Sequence, residues 1–280
     1  MGRRSPHSVI TAAVLTSLAA TAVLGQRRTP LGGGPFGARG GRGQTSICDG
    51  GRRIERRAYL FADTKKRLEY DVFVSSRVNK QAPAPLVIAL HGQNQPPDSV
   101  LRCVTDFAEA GGYIVAAPTG YSLDGWYGIA DRVLPGTKPA NLAALSEKDV
   151  MNVLDAMRRD YNVNSGRIYL LGQSMGGGGA LYLGTKYHDL WAAVGASAPA
   201  AGGLPFSILE QATEVPMVLV QGDADDNVSP ERTRQWAEQM RALRMTYEYH
   251  ELRGVGHREA IAVGAPQIFA FFDRHSKADR

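Results

Sequence analysis

Cysteine is scarce. The 280 residues hold two, Cys48 and Cys103. Two cysteines without a histidine cluster give no zinc-binding spacing. One pair has a single possible connectivity, so a disulfide is open to the chain. A buried free thiol is equally open, because Cys103 stands beside Val104 and Phe107 in a helical pattern. Long hydrophobic runs are also missing. The uncharged stretch Val9–Leu24 falls short of the roughly 18–20 residues that a membrane-spanning helix needs. No internal repeat is visible, which removes repeat architectures. The acidic run Asp223-Ala224-Asp225-Asp226-Asn227 lacks the rest of a calcium loop. Val228 stands where the loop's glycine belongs and Arg234 where its closing glutamate belongs. No metal and no cofactor is expected.

The ends of the chain differ from its middle. Arg3 and Arg4 precede the apolar stretch, and the small Gly25 follows it. That order predicts an export signal over 1–25. Residues 26–45 are rich in glycine and arginine without apolar periodicity and read as a solvated linker. The folded domain is expected over 46–280. The tail contributes much of the +5 net charge, so the charge does not indicate a nucleic-acid partner. A secreted or periplasmic protein follows, with no stable membrane insertion once the signal is removed.

From residue 67 onward short apolar runs alternate with amphipathic segments. RLEYDVFVS (67–75) alternates like an edge strand, and PLVIAL (85–90) reads as a strand buried on both faces. Helical spacing appears over 98–112, 145–161, 229–243 and 258–275. Strands are expected at 113–118, 167–172, 191–199, 217–223 and 246–252. Ser146 with Asp149 resembles a capping box for the second helix. The alternation predicts an α/β fold, a mostly parallel central sheet with helices on both faces. Only a short connection joins the strands at 191–199 and 217–223, so no large lid is expected. In such sheets, functional groups gather beyond the carboxyl ends of the strands.

The loops at those ends carry reactive side chains. Gly172-Gln173-Ser174-Met175-Gly176 lies between a strand and a helix and fits a turn that presents a serine nucleophile. A serine needs a base. His257 follows the last strand in GVGH, whereas His7, His91, His188, His250 and His275 fall in the signal, a loop, a helix end, a strand and the last helix. The base needs an acid to hold its tautomer. Asp225 is the candidate, with Asp226 the alternative. The backbone N–H groups of Gln93, after PLVIAL, and of Met175, at the next helix start, are the candidate donors to an oxyanion. Trp126 and Tyr127 follow another strand, and either lay aromatic rings beside the site as substrate-binding groups or pack their own loop.

The order Ser174, Asp225, His257 on this alternation resembles that of the α/β-hydrolase fold. LVIALHGQ, DVMNVLDAMRRDYNVNSGRIYLLGQSMGGGGA, WAAVGASAPA and GVGH are similar to stretches of secreted esterases grouped with polyhydroxybutyrate depolymerases and feruloyl or acetylxylan esterases, and of prolyl-oligopeptidase-like hydrolases. The resemblance implies a serine esterase acting on an ester substrate, polymeric or aromatic, such as feruloyl or acetyl esters of plant polysaccharide. A small peptidase and a polyester depolymerase are the alternatives. The chain differs from many depolymerases at Met175, and it leaves no room for the propeller common in the peptidases.

Overall fold

A computed structural model describes Cys48 and residues 51–279. The expected export signal and linker lie outside these residues. The described chain builds one eight-stranded sheet in the order β1-β2-β4-β3-β5-β6-β7-β8. The strands are β1 (Glu55–Phe61), β2 (Lys66–Val74), β3 (Ala84–Leu90), β4 (Ile114–Pro118), β5 (Val163–Gln173), β6 (Ala193–Ser197), β7 (Met217–Gly222) and β8 (Tyr247–Leu252). From β4 across to β8 neighbouring strands run parallel, while β1 and β2 are antiparallel additions.

Side-chain alternation along the strands feeds two cores. Leu86, Ile88 and Leu90 of β3 point to one face with Leu170 and Val194; Val87 and Ala89 point to the other with Leu171 and Val218. The first face is covered by α2 (Leu142–Asp160), α3 (Met175–Lys186) and α4 (Pro230–Ala242), the second by α1 (Asp98–Gly111) and α5 (Ala260–Asp273). Each fully buried leucine or isoleucine contributes roughly 1.5–3 kcal/mol. Helix α1 buries Val100, Leu101, Val104 and Ala108, then stops at Gly112, whose left-handed φ of 71° lets its N–H reach back to carbonyls of the last turn. Cys48 is joined to Cys103 of α1 by a disulfide, so the thiol alternative falls away and the start of the described chain is tied to the second face.

Three expectations need correction. The strand read as an edge, β2, lies second in the sheet because β1 pairs along its whole length. Charges at Glu55, Arg56 and Arg57 and partial exposure conceal β1 in the sequence. Helix α2 begins at Leu142, so Ser146 and Asp149 are not a cap; both are buried inside the helix and bind a loop described below. Strand β5 starts at Val163 rather than 167. The connection between β6 and β7 holds only a short 3-10 turn, Phe206–Gln211, in keeping with the absence of a large lid.

Strand register brings the functional loops to one edge. Leu90 pairs with Gly172, Gln173 with Ser197, Ser197 with Val220, and Gly222 with Leu252. The residues that follow β3, β5, β7 and β8 therefore emerge side by side.

Candidate active site

Ser174 links β5 to α3 at φ 58° and ψ −118°. A non-glycine residue held in such a region costs of order 1–3 kcal/mol. The surroundings over-determine it. The Ser174 N–H donates to the Ser197 carbonyl at 2.9 Å, and its carbonyl accepts from Gly178 at 3.0 Å and Ala200 at 2.9 Å. The turn closes only without side chains at its ends. A Cβ on Gly172 would fall on the Gly176 carbonyl, and one on Gly176 would fall on the Leu90 carbonyl. The rest of the glycine run has the same cause. A Cβ on Gly177 would lie 2.9 Å from Pro199 Cα, one on Gly178 2.6 Å from the Ala200 carbonyl oxygen, and one on Gly179 2.7 Å from the Tyr127 ring. The first turn of α3 is wedged between three other segments.

The structure brings Ser174, His257 and Asp225 together. His257 Nε2 lies 2.8 Å from Ser174 Oγ, and His257 Nδ1 lies 2.8 Å from Asp225 Oδ2. A carboxylate only accepts, so Nδ1 carries the proton and the Nε2 lone pair faces the serine hydroxyl. Asp226, the alternative acid, is exposed and outside this relay. Burial alone would raise the Asp225 carboxyl. The Val228 N–H, then His257 and the Asn227 N–H, outweigh it and hold the carboxyl below its ordinary value. The two amides donate to Oδ1 at 2.8 and 2.9 Å.

Side chains not singled out in the sequence fix this side of the site. Gln221, the one polar residue before the glycine of β7, is fully buried and donates to Asp225 Oδ2 at 2.9 Å; its carbonyl accepts from Thr233 at 2.8 Å. Gln173 donates to the His257 carbonyl at 3.2 Å, and Asp223 accepts from the Gly254 N–H at 2.6 Å. The acid and base loops are thus bonded to each other and to the serine turn. A polar residue inside an apolar strand is the signal that points to Gln221.

The opposite side is built by the loops after β3 and β4. A Cβ on Gly92 would lie 3.4 Å from Ser174 Cβ, so the chain entering Gln93 passes against the serine. Among the described residues neither the Gln93 N–H nor the Met175 N–H has a hydrogen-bond acceptor. His91 is buried with its ring nitrogens 2.8 and 2.9 Å from the Gly92 and Thr119 carbonyls, and burial lowers its pKa. The Gln93 side chain donates to Asp124 at 2.8 Å, and the Asn94 N–H donates to the Leu123 carbonyl at 2.8 Å. The 119–129 loop thereby braces the segment that carries Gln93.

That loop corrects one expectation. Trp126 and Tyr127 do not offer their rings to a substrate: they are 4% and 0% exposed. The Tyr127 hydroxyl donates to the His91 carbonyl at 3.3 Å, and the Arg132 guanidinium lies 4.4 Å from the Trp126 ring centroid. The rings pack the loop itself. Tyr121, Trp126 and Tyr127 all have φ between 48° and 60°, a strained path that needs anchors. Helix α2 supplies them. Asp149, fully buried, accepts from the Tyr121 N–H at 3.0 Å and from the Tyr59 hydroxyl, and Ser146 Oγ accepts from the Tyr127 N–H at 3.1 Å. Burial raises the Asp149 carboxyl despite those donors. A carboxylate on the inward face of an amphipathic helix is the sequence signal for it.

Among the described residues no cluster of His, Cys, Asp or Glu could hold a metal ion, and no helix is long and apolar enough to cross a membrane.

The model of the Esterase family matches residues 69–261. A bifunctional acetylxylan esterase/xylanase of Neocallimastix patriciarum is 28% identical over 159 residues, 56% of this chain, which spans 21% of that protein's length. A thermostable esterase superposes with a TM-score of 0.64 at 18% identity, over 80% of this chain and 63% of the other. The ferulic acid esterase of Anaeromyces mucronatus superposes with a TM-score of 0.63 at 20% identity, over 81% of this chain and 92% of the other. These likenesses show an α/β-hydrolase fold.

Proposed function

Since the chain belongs to the Esterase family, we propose that it hydrolyses carboxylic esters by acyl transfer through Ser174, His257 and Asp225. The observation that carries this reading is the continuous relay of two 2.8 Å contacts from Ser174 Oγ through His257 to Asp225. Ser174 Oγ attacks the acyl carbon while His257 Nε2 takes its proton. Negative charge collects on the former carbonyl oxygen, where the N–H groups of Gln93 and Met175 meet it. The C–O bond to the alcohol breaks, and His257 returns the proton to the leaving oxygen. Water then attacks the acyl-enzyme with His257 again as base, releasing the acid and restoring the serine. Asp225 stays ionised throughout and stabilises the imidazolium.

Acetyl or aryl esters of plant polysaccharide are the substrate class. The family match and the names of the relatives, an acetylxylan esterase and a ferulic acid esterase, support it. Export belongs to the same reading, supported by the Cys48–Cys103 disulfide, which persists in oxidising compartments.

The purified protein and its Ser174→Ala variant, given short acyl esters, methyl ferulate, acetylated xylan and peptides, test the proposal. Ester turnover that vanishes in the variant, together with fluorophosphonate labelling of Ser174, is expected. Peptide cleavage without turnover of any natural ester would replace the esterase reading by that of a peptidase. N-terminal sequencing of protein recovered from the culture medium tests export; a chain retained in the cell with its first residues intact would overturn it.

A further inference from the structure

A pocket of about 450 Å³ opens beyond the carboxyl end of β4, lined among others by Lys66, Thr119, Tyr121, Asp124, Thr137 and Lys138. It adjoins the site described above. Its wall is the 119–124 segment, which is bonded to the Gln93 loop through Asp124 and Leu123. In the sheet, β4 is two strands from β5, which carries Ser174. At the usual strand spacing that is about 10 Å to one side. A group in this pocket could belong to the same molecule whose ester lies at Ser174.

The charge of the pocket selects what that group is. Lys66 and Lys138 bring two ammonium groups, and among the described residues neither has a carboxylate within ion-pairing distance. Lys66 is exposed, and its ammonium lies 4.7 Å from the ring centroid of Tyr121, another residue of the lining. The one acid in the lining, Asp124, already accepts from Gln93. The Thr119 and Thr137 hydroxyls donate to the Glu69 and Leu134 carbonyls at 2.6 and 2.7 Å, so the two cations are what distinguishes the pocket. Two unpaired cations and a committed acid suit a carboxylate.

We propose that this pocket is a subsite for a negatively charged part of the substrate, so that the preferred ester carries a carboxylate about 10 Å from the scissile bond. The inference rests on the ester-hydrolase reading of Ser174. The carboxylate could sit on the acyl chain or on an acidic sugar of the alcohol part.

Two matched pairs test it: p-nitrophenyl octanoate against mono-p-nitrophenyl azelate, whose longer chain spans that distance, and acetylated xylotriose against the same trisaccharide bearing a glucuronosyl branch. Each is given to the wild type and to the Lys66→Gln/Lys138→Gln variant, which keeps the long side chains and removes the charge. The charged member of one pair is expected to have a KM about three- to tenfold lower in the wild type, as for two solvated charge pairs. The variant and high salt should both erase that preference and leave the neutral member unchanged. The pair that responds tells which part of the substrate carries the charge. Equal KM values within both pairs, or an equal loss on neutral and charged members, would overturn the subsite while leaving the hydrolase reading intact. If no ester shows Ser174-dependent turnover, the hydrolase reading fails instead. Titration of the protein with the glucuronosyl xylotriose then decides the pocket: binding weakened by the variant and by salt keeps it, and no difference removes it.

Discussion

Asp225 and Asp149 are both buried, and each receives backbone N–H groups from a loop at a strand tip. They stand on opposite sides of Ser174. Asp225 also faces His257 and the Gln221 amide, and its carboxyl is held below the ordinary value. Asp149 faces phenols, Tyr59 directly and Tyr127 nearby, and burial raises it. At Asp225 the Val228 and Asn227 N–H groups together with His257 outweigh burial, whereas at Asp149 burial outweighs the Tyr59 hydroxyl and the Tyr121 and Gly120 N–H groups. The partners also differ in whether they can take up positive charge. A histidine can, and a phenol cannot. The Asp225 side is therefore built to hold charge during a reaction. The Asp149 side is built to hold a strained loop still.

Asp225→Asn should separate the two roles most sharply. The fold should survive, and kcat should fall by about four orders of magnitude, as when a triad aspartate loses the ability to fix the histidine tautomer. Steady-state kinetics with a circular dichroism melt checks this; a loss under tenfold would remove Asp225 from the relay. Asp149→Leu should act mainly on stability. It strands the Tyr121 N–H and the Tyr59 hydroxyl, a loss of about 3 kcal/mol or more from two unsatisfied buried groups, read by urea denaturation. Asp149→Asn can keep an acceptor for Tyr121 and donate to Tyr59, so its loss should be smaller. Gln221→Leu removes one of the donors to Asp225 and should cost kcat about ten- to a hundredfold, near the net worth of a hydrogen bond to a charged group.

Acid should make the smallest and most diagnostic distinction. The Asp225 pKa is lowered on folding, so its stabilising contribution is present above the unfolded value near 4 and is lost as pH falls through the folded value. The Asp149 pKa is raised, so its contribution is full below the unfolded value and is lost as pH rises through the folded one. The stability advantage of the wild type over Asp225→Asn should thus stay level from pH 7 to about pH 4 and shrink below it, while its advantage over Asp149→Asn should already grow as pH falls toward about 4. Parallel changes in both would show that the two sites feel the same field.

The two sides also differ in how much of them the sequence reveals. Gly172, Ser174 and Gly176 are adjacent in the chain and share one steric cause, so the serine turn is legible. His257 is legible because it is the single histidine between the last strand and the closing helix. Asp225 is less so, since Asp223 and Asp226 flank it and only the fold of the turn aims one of the three at His257. The Asp149 side is hidden. Its partners Tyr59, Gly120 and Tyr121 are far away in sequence, and Ser146 with Asp149 imitates a helix cap. Trp126 and Tyr127 mislead for a related reason: an aromatic pair after a strand looks the same whether it faces solvent or its own loop. The parallel sheet is plain from alternating runs, but β1 is masked by its charges.

The glycine run at the start of α3 has a consequence for how the molecule assembles. Four glycines lower the intrinsic stability of that turn by about 4 kcal/mol relative to alanine, so the segment has little tendency to nucleate a helix alone. Its stability is borrowed from the chain at Leu90, Pro199, Ala200 and Tyr127, which its backbone touches. The turn that presents Ser174 is therefore expected to order late, after β3 and β6 have paired with β5. Native-state hydrogen exchange would show this as amides of 176–180 opening only with the sheet around them. Exchange of these amides ahead of the sheet would show instead that the turn unlatches locally.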